Sequence, residues 1–533
     1  MRHSMRCRMG AIVAIFGLLG FQDTSTLAAG ERSAPTGASG PVVTFFAASL
    51  NKFQSACERV FQSVDRQDLF DSMDSRLTRY NNFSGVDRNR PLGMMFTWGN
   101  DVTPYAVFLP VINIDELLKT ATFGVVGSHK VSTDHYEIER PHKPYQVVLR
   151  RGTAFIAESV ETIQSVCAAP ELLTRRLRDQ YDLAIHIDLR QIPLADKREF
   201  VKHLRANVIP ALQTADDEAA ESGWIRKAVG VQLLEWIERA TIDINALTIG
   251  LRFTLENRHL ILEVELEAVP KSPLARSFDQ CLAKKNHFSP CLHSEVQPAA
   301  VAVISLPPVC RLVPPNAGES DKRPSISPRL DAVMQLIGER PGERSVVAAV
   351  SGLDAKAVNP ALTQLLSSGF LGTPSAADQI ATRKGTCLRS FMPTDVLPML
   401  ATLIGTSSEV LVSEVTETFW VGFGSPMNLL DDLEDAMEFV DEAPPERTVM
   451  PIVQVQIQGR AVPDLLVSDL LIPNMNAAKI REELSRGDDG IAMKVNAINN
   501  GLKLTVDFDP GFVRLIGRDW VRQVEGLYRP DRK

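Results

Sequence analysis

Within the stretch CLAKKNHFSPCLH the sequence places Cys281, His287, Cys291 and His293, the densest set of metal-type ligands in the chain. Two thiolates and two imidazoles would satisfy a tetrahedral zinc ion. Their spacing lacks the short C-x2-4-C or H-x3-5-H pairs that hold two ligands on one turn, so no metal is assigned and the four stand as candidates alone. In an oxidising compartment the competing chemistry is a disulfide, with Cys281 and Cys291 closing a small loop or Cys310 exchanging into it, and this is the expected outcome. Cys57 and Cys167 sit in apolar helical patterns and read as buried thiols, a long-range bridge between them being the alternative.

His186 in LAIHIDL alternates with Leu183, Ile185, Ile187 and Leu189 and falls on the polar side with Asp182 and Asp188. A histidine beside carboxylates can act as a general base, but the pattern reads first as an exposed strand residue. The acidic run DDLEDAMEFVDEAPPE lacks the ligand spacing of a calcium loop. Leu429, Leu430, Leu433, Met437 and Val440 run through it as a helical stripe, which predicts a solvated amphipathic helix. The sequence carries no G-x-S-x-G elbow, phosphate-binding loop, H-E-x-x-H or dinucleotide fingerprint. No catalytic residue and no cofactor is therefore assigned, and a hydrolase or metalloenzyme is the reading least favoured.

The elements around these residues come in a repeated order. The first half offers PVVTFFAASLNKFQSACERVF, PYAVFLPVINIDELLKTA, YQVVLRRGTAFIAESVETIQSV and YDLAIHIDLRQIPLADKREFVKHL, then closes with the hairpin ALTIGLRFTLENRHLILEVELEAV. The second offers AAVAVISLPP, RSVVAAVSGLDAKAVNPALTQLL, EVLVSEVTETFWVGFGSPMNLLDDLEDAMEFV and MPIVQVQIQGRAVPDLLVSDLL, then GIAMKVNAINNGLKLTVDF. Ser159 faces Ser425 and Leu260 faces Leu502 when the two are laid together, and the expectation is an internal duplication. In LILEVEL, residues Leu260, Leu262, Val264 and Leu266 share one face while Ile261, Glu263 and Glu265 share the other. Such alternation belongs to antiparallel sheets covered on one side. The predicted fold is α+β: two antiparallel sheets, or one continuous sheet, with amphipathic helices packed on one face. The first repeat is expected over 29–290 and the second over 291–533, with a proline-rich excursion at 307–328 that excludes a long helix or a central strand.

The first residues, MRHSMRCRMGAIVAIFGLLGFQDTSTLAAG, set Arg2, Arg6 and Arg8 before a twelve-residue apolar run and small residues. This predicts a secretory signal peptide over 1–28, cleaved after Ala28 or Ala29. Cleavage removes three arginines and one aspartate and lowers the formal charge from −8 by two. An acidic mature chain without a lysine or arginine cluster is unsuited to nucleic acid or an anionic membrane. No later run is long and apolar enough for a membrane helix, so the expected location is the periplasm or the exterior. Removal of Cys7 leaves six cysteines, an even number in a disulfide-permissive place.

At GVDRNRPLGMMF, AVFLPVINIDELL, YDLAIHIDLRQIP and FDPGFVRLIG, the chain resembles uncharacterised exported proteins of planctomycete-type bacteria. Gly85, Asp87, Pro91 and Gly93 occupy that family's Gly-x-Asp-x-x-x-Pro-x-Gly stretch. The resemblance implies export and two similar halves and transfers no active site.

Function is expected to be binding, or a structural role in the cell envelope, without catalysis. The alternative is a carrier of an apolar, lipid-like ligand held between sheet and helices, with Phe45, Phe46, Phe419, Trp420 and Phe423 as aromatics on the strands concerned. The partners in view are envelope proteins or an apolar small molecule.

Overall fold

The computed structural model describes residues 40–79, 83–98, 105–121, 127–139, 143–166, 170–211, 230–231, 234–235, 237–254, 258–281, 286–293, 298–306, 330–338, 343–352, 378–392, 408–415, 418–442, 450–461, 480, 482, 484 and 489–528. Twenty strands among them form one sheet. The first ten are β1 (Val43–Ala47), β2 (Leu92–Phe96), β3 (Tyr105–Pro110), β4 (Ser128–Ser132), β5 (His135–Ile138), β6 (Tyr145–Arg150), β7 (Thr153–Ala157), β8 (Leu183–Asp188), β9 (Ile244–Phe253) and β10 (Leu260–Ala268). The second ten are β11 (Ala300–Leu306), β12 (Leu330–Ile337), β13 (Ser345–Ser351), β14 (Asp378–Thr382), β15 (Gly385–Met392), β16 (Ser408–Val415), β17 (Thr418–Gly424), β18 (Val453–Gln458), β19 (Gly490–Ile498) and β20 (Gly501–Phe508). The helices that matter below are α1 (Leu50–Gln62), α2 (Gln67–Arg79), α3 (Ile114–Ala121), α4 (Val160–Val166), α5 (Pro170–Gln180), α6 (Leu194–Ala211), α7 (Pro273–Gln280), α8 (Leu429–Glu442) and α9 (Pro510–Tyr528). No described helix is long and apolar enough to cross a membrane.

Traced from strand to strand, the sheet runs β4, β5, β6, β7, β3, β2, β1, β8, β9, β10, then β20, β19, β18, β11, β12, β13, β17, β16, β15, β14, antiparallel throughout. Each pairing among the first ten strands recurs in the second ten with both strand numbers raised by ten. The two runs meet at β10 and β20, where Leu260 lies opposite Phe508 and Glu267 opposite Gly501. The two sheets or one continuous sheet of the sequence reading are thus one sheet.

Turn chemistry fixes the hairpins locally. Arg151 and Gly152, both at positive φ, join β6 to β7 in the mirror-image type of turn that suits the twist of paired strands. A second device recurs at the helix that follows each long hairpin. Asp243, one residue ahead of β9, accepts the Leu274 N–H at the start of α7 at 3.3 Å. Asp489, one residue ahead of β19, accepts the Gly511 N–H at the start of α9 at 2.8 Å. Both helices open with proline, Pro273 and Pro510, at a position whose amide has no intrahelical partner.

Let the front face be the one carrying Leu260, Leu262, Val264 and Leu266. Helices lie on both faces, which corrects the expectation of cover on one. Neighbouring residues of β3 show why: Phe108 packs under Ile163 and Val166 of α4 on the back, while Leu109 packs with Leu117 and Leu118 of α3 on the front. AVFLP and TAFIA are apolar at successive positions, so both sides of those strands need cover. In the second half α8 seats Leu429, Leu433, Met437 and Val440 on the back face against Val347, Leu411 and Trp420. That helix is less solvated than its charges predicted, since Glu434 is buried and accepts the Arg383 N–H at 2.7 Å. The proline-rich stretch falls among residues outside the description.

Candidate functional site

The central strands differ from the wings. Here larger apolar positions alternate with smaller or polar ones, so one face of the sheet is mostly apolar and the other carries its charged and polar residues. On the back, Glu263 of β10 pairs with Lys503 of β20 at 2.8 Å, and the Tyr181 ring lies over Gly250, where an added Cβ would meet it at 2.2 Å. His186 bonds through Nδ1 to Thr248 Oγ1 at 2.9 Å, and burial pushes its imidazole below the ordinary value. It is thus a half-buried strand residue, not an exposed one. Asp188, at the end of the same strand, is buried; burial alone would raise its carboxyl, but bonds from Arg190 at 2.8 Å and from Gln191 outweigh it and hold the group below the usual range.

On the front, register aligns apolar side chains into rows across the sheet. One row runs Met94, Phe45, Ile185, Ile249, Val264, Leu504, Val495, Val453 and Ile304, one residue from each of nine strands. Every member is half-buried. At an interstrand spacing of about 4.8 Å the row spans roughly 38 Å. Among the described residues, α7 covers one end of the seam, where Phe278 and Leu274 pack with Leu266 and Leu502. Helices α9 and α1 cover the other, where Val513 and Val60 pack with Leu260, Leu251 and Phe508. Leu262, Val264, Leu504 and Val506 lie between these helices. Phe45 and Phe96 meet edge to face at 5.5 Å and extend the surface toward Tyr105. Of the other aromatics named from sequence, Phe46 and Trp420 are buried on the back, Phe419 is buried, and Phe423 packs on the front of the second wing.

Among the described residues, Cys281, His287 and Cys291 do not converge as a metal-ligand group. Cys281 caps the C-terminus of α7, a front-face helix, and donates to the Ser277 carbonyl at 3.2 Å. Cys291 lies in a 3-10 turn that packs on the back face with Val301, Val303 and Trp420, and burial pushes its thiol up to about 12. The structure holds no disulfide between Cys281 and Cys291, and the helix and the 3-10 turn that carry them pack on opposite faces of the sheet. The His287 ring stacks edge to face on Phe288 at 5.0 Å, and its backbone N–H donates to Asp331 Oδ2 at 3.3 Å. The His293 side chain, Cys310 and Cys167 lie outside the described residues. Cys57 is a buried thiol raised to about 12 by desolvation.

Among the described residues a three-ligand group that was missed from sequence does converge: His259, Asp507 and Asp509, at the end of the seam. His259 Nδ1 lies 2.8 Å from Asp507 Oδ1 and 3.5 Å from Asp509 Oδ1. Burial raises the Asp509 carboxyl; His259 and the Gly490 N–H oppose this, and Asp507 and Asp489 add to it. His259 and Asp507 are 248 residues apart, so only the pairing of β10 with β20 brings them together. Comparison with protein-family models, curated proteins and solved structures finds no match to this chain.

Proposed function

We propose that this chain is an exported, non-enzymatic binding protein that holds an apolar, lipid-like ligand on the front face of its central strands, in a body built by duplicating a ten-strand unit. The observation that carries the ligand class is the nine-strand row of half-buried aliphatic and aromatic side chains, floored by the sheet and flanked by α7 and α9. A face this large and apolar on a protein surface marks a ligand groove or an interaction site. Support for duplication comes from the recurrence of every pairing ten strands later and from the matched pairs Asp243 with Pro273 and Asp489 with Pro510. Export rests on the N-terminal charge and apolar pattern and on the resemblance to exported proteins of planctomycete-type bacteria; the chain then acts in the periplasm or outside the cell.

The test is to express the full chain from its own start, recover it from the exported fraction, and compare intact mass in native and denaturing solvent. The expected result is a chain beginning after Ala28 or Ala29 that releases an apolar small molecule on denaturation. A bare native chain that also takes up no offered phospholipid or fatty acid would refute the ligand assignment and leave a structural role in the envelope.

A further inference from the structure

At the end of the seam the second hairpin carries two carboxylates, Asp507 on β20 and Asp509 just before α9, facing one histidine of the first hairpin. Asp489 also stands there but is already engaged, since it accepts from Arg514 at 2.7 Å and from the Gly511 amide. The two hairpins thus bring two carboxylates and one imidazole to one point, a donor set that a divalent cation would accept. The matching end of the other repeat shows that the helix start does not demand this arrangement. There Ser272 precedes the proline, and its hydroxyl caps α7 by accepting the Ala275 N–H at 3.1 Å. Capping alone is satisfied by a neutral side chain.

We propose that His259, Asp507 and Asp509 form a binding site for a divalent transition ion of the zinc class, joining the two hairpins. One ligand atom from each residue lies within 4.8 Å of the others. A tetrahedral zinc with bonds of about 2.0–2.1 Å sets its ligand atoms about 3.3 Å apart, and the two separations from Nδ1, 2.8 and 3.5 Å, bracket that value. One imidazole nitrogen with two carboxylate oxygens suits zinc, cobalt or manganese better than calcium or magnesium, which favour all-oxygen sites. All three residues are half-buried, so water can complete the coordination. Binding displaces the proton from Nδ1 and replaces the His259–Asp507 hydrogen bond with two metal–ligand bonds.

The experiment is calorimetric titration of the chelator-stripped full chain with zinc chloride near neutral pH, paired with cobalt titration followed by visible absorption. The expected result is one saturable equivalent per chain and a cobalt spectrum of nitrogen and oxygen ligation. His259→Ala and Asp509→Asn should each weaken binding by more than about 100-fold, since even outer-shell substitutions cost about 10–100-fold. Cys281→Ser and Cys291→Ser should leave it unchanged. Melting of the metal-free variants shows that they are folded, and the near-isosteric Asp507→Asn replaces any that is not. Absence of saturable binding, or binding of equal strength in these variants, overturns the assignment.

Discussion

The wings and the centre of the sheet use the same strand geometry and reach opposite surfaces. In the second wing, β13 and β17 are buried at most positions, and Trp420 meets Phe288 edge to face at 6.1 Å beneath α8. In the centre, β10 and β20 have nearly every residue half-buried, and the described helices touch the seam at its ends. The wings show what an antiparallel sheet does with apolar residues on successive positions: it recruits a helix layer. At the centre the leucines and valines of β10 and β20 line the front, while the charged residues Glu263, Glu265 and Lys503 stand on the back. This difference separates a part built as buried core from a part whose side chains stay half-buried, the part proposed above to bind.

The largest expected effect tests the wing. Trp420→Ala should cost about 3–5 kcal/mol, the range for emptying a buried aromatic site, read as a lower urea midpoint; a loss no larger than that of a central front-face substitution would erase the contrast. Gly250→Ala attacks the back of the centre, where the new Cβ would stand 2.2 Å from the Tyr181 ring. Overpacking of this kind costs about 1–3 kcal/mol, and Tyr181→Leu in the same chain should recover part of it.

Asp188→Asn tests whether polar bonds hold the end of a central strand. The carboxyl is depressed in the fold, so its contribution is present above the unfolded value, about pH 4, and is lost as pH falls through the folded value. The substitution should cost about 1–3 kcal/mol near pH 7, with the gap to the parent closing on acidification; a gap independent of pH would reject the assignment. The smallest stability effect is expected at the proposed ligand face. Leu504→Ser should cost about 1 kcal/mol, because its side chain is only half-buried, yet lower the uptake of an apolar fluorophore several-fold. A large unfolding effect with unchanged uptake would make Leu504 a core residue and break the comparison.

Much of the fold was legible from alternation. LILEVEL declared its two faces, and the structure pairs Leu262 with Val506 and Glu263 with Thr505 on those same faces. The repeated order of pieces anticipated the recurring strand pairings. Cover on one face was a misreading of AVFLP and TAFIA, where successive apolar residues require partners on both sides. The candidate site was less legible: the Cys281 to His293 cluster is dense in sequence, but a helix cap and a 3-10 turn carry its cysteines to opposite faces.

The sequence by itself determined the local quantities: which residues alternate, where Arg151 and Gly152 turn the chain, and where proline opens a helix, because these depend on neighbours a few bonds away. Only the tertiary structure decided that β10 pairs with β20, that one sheet results, that among the described residues α7, α9 and α1 reach the front of its centre, and that His259 meets Asp507 and Asp509. Those outcomes depend on contacts between segments some 240 residues apart, and no local periodicity encodes which distant strand edge a hairpin will find.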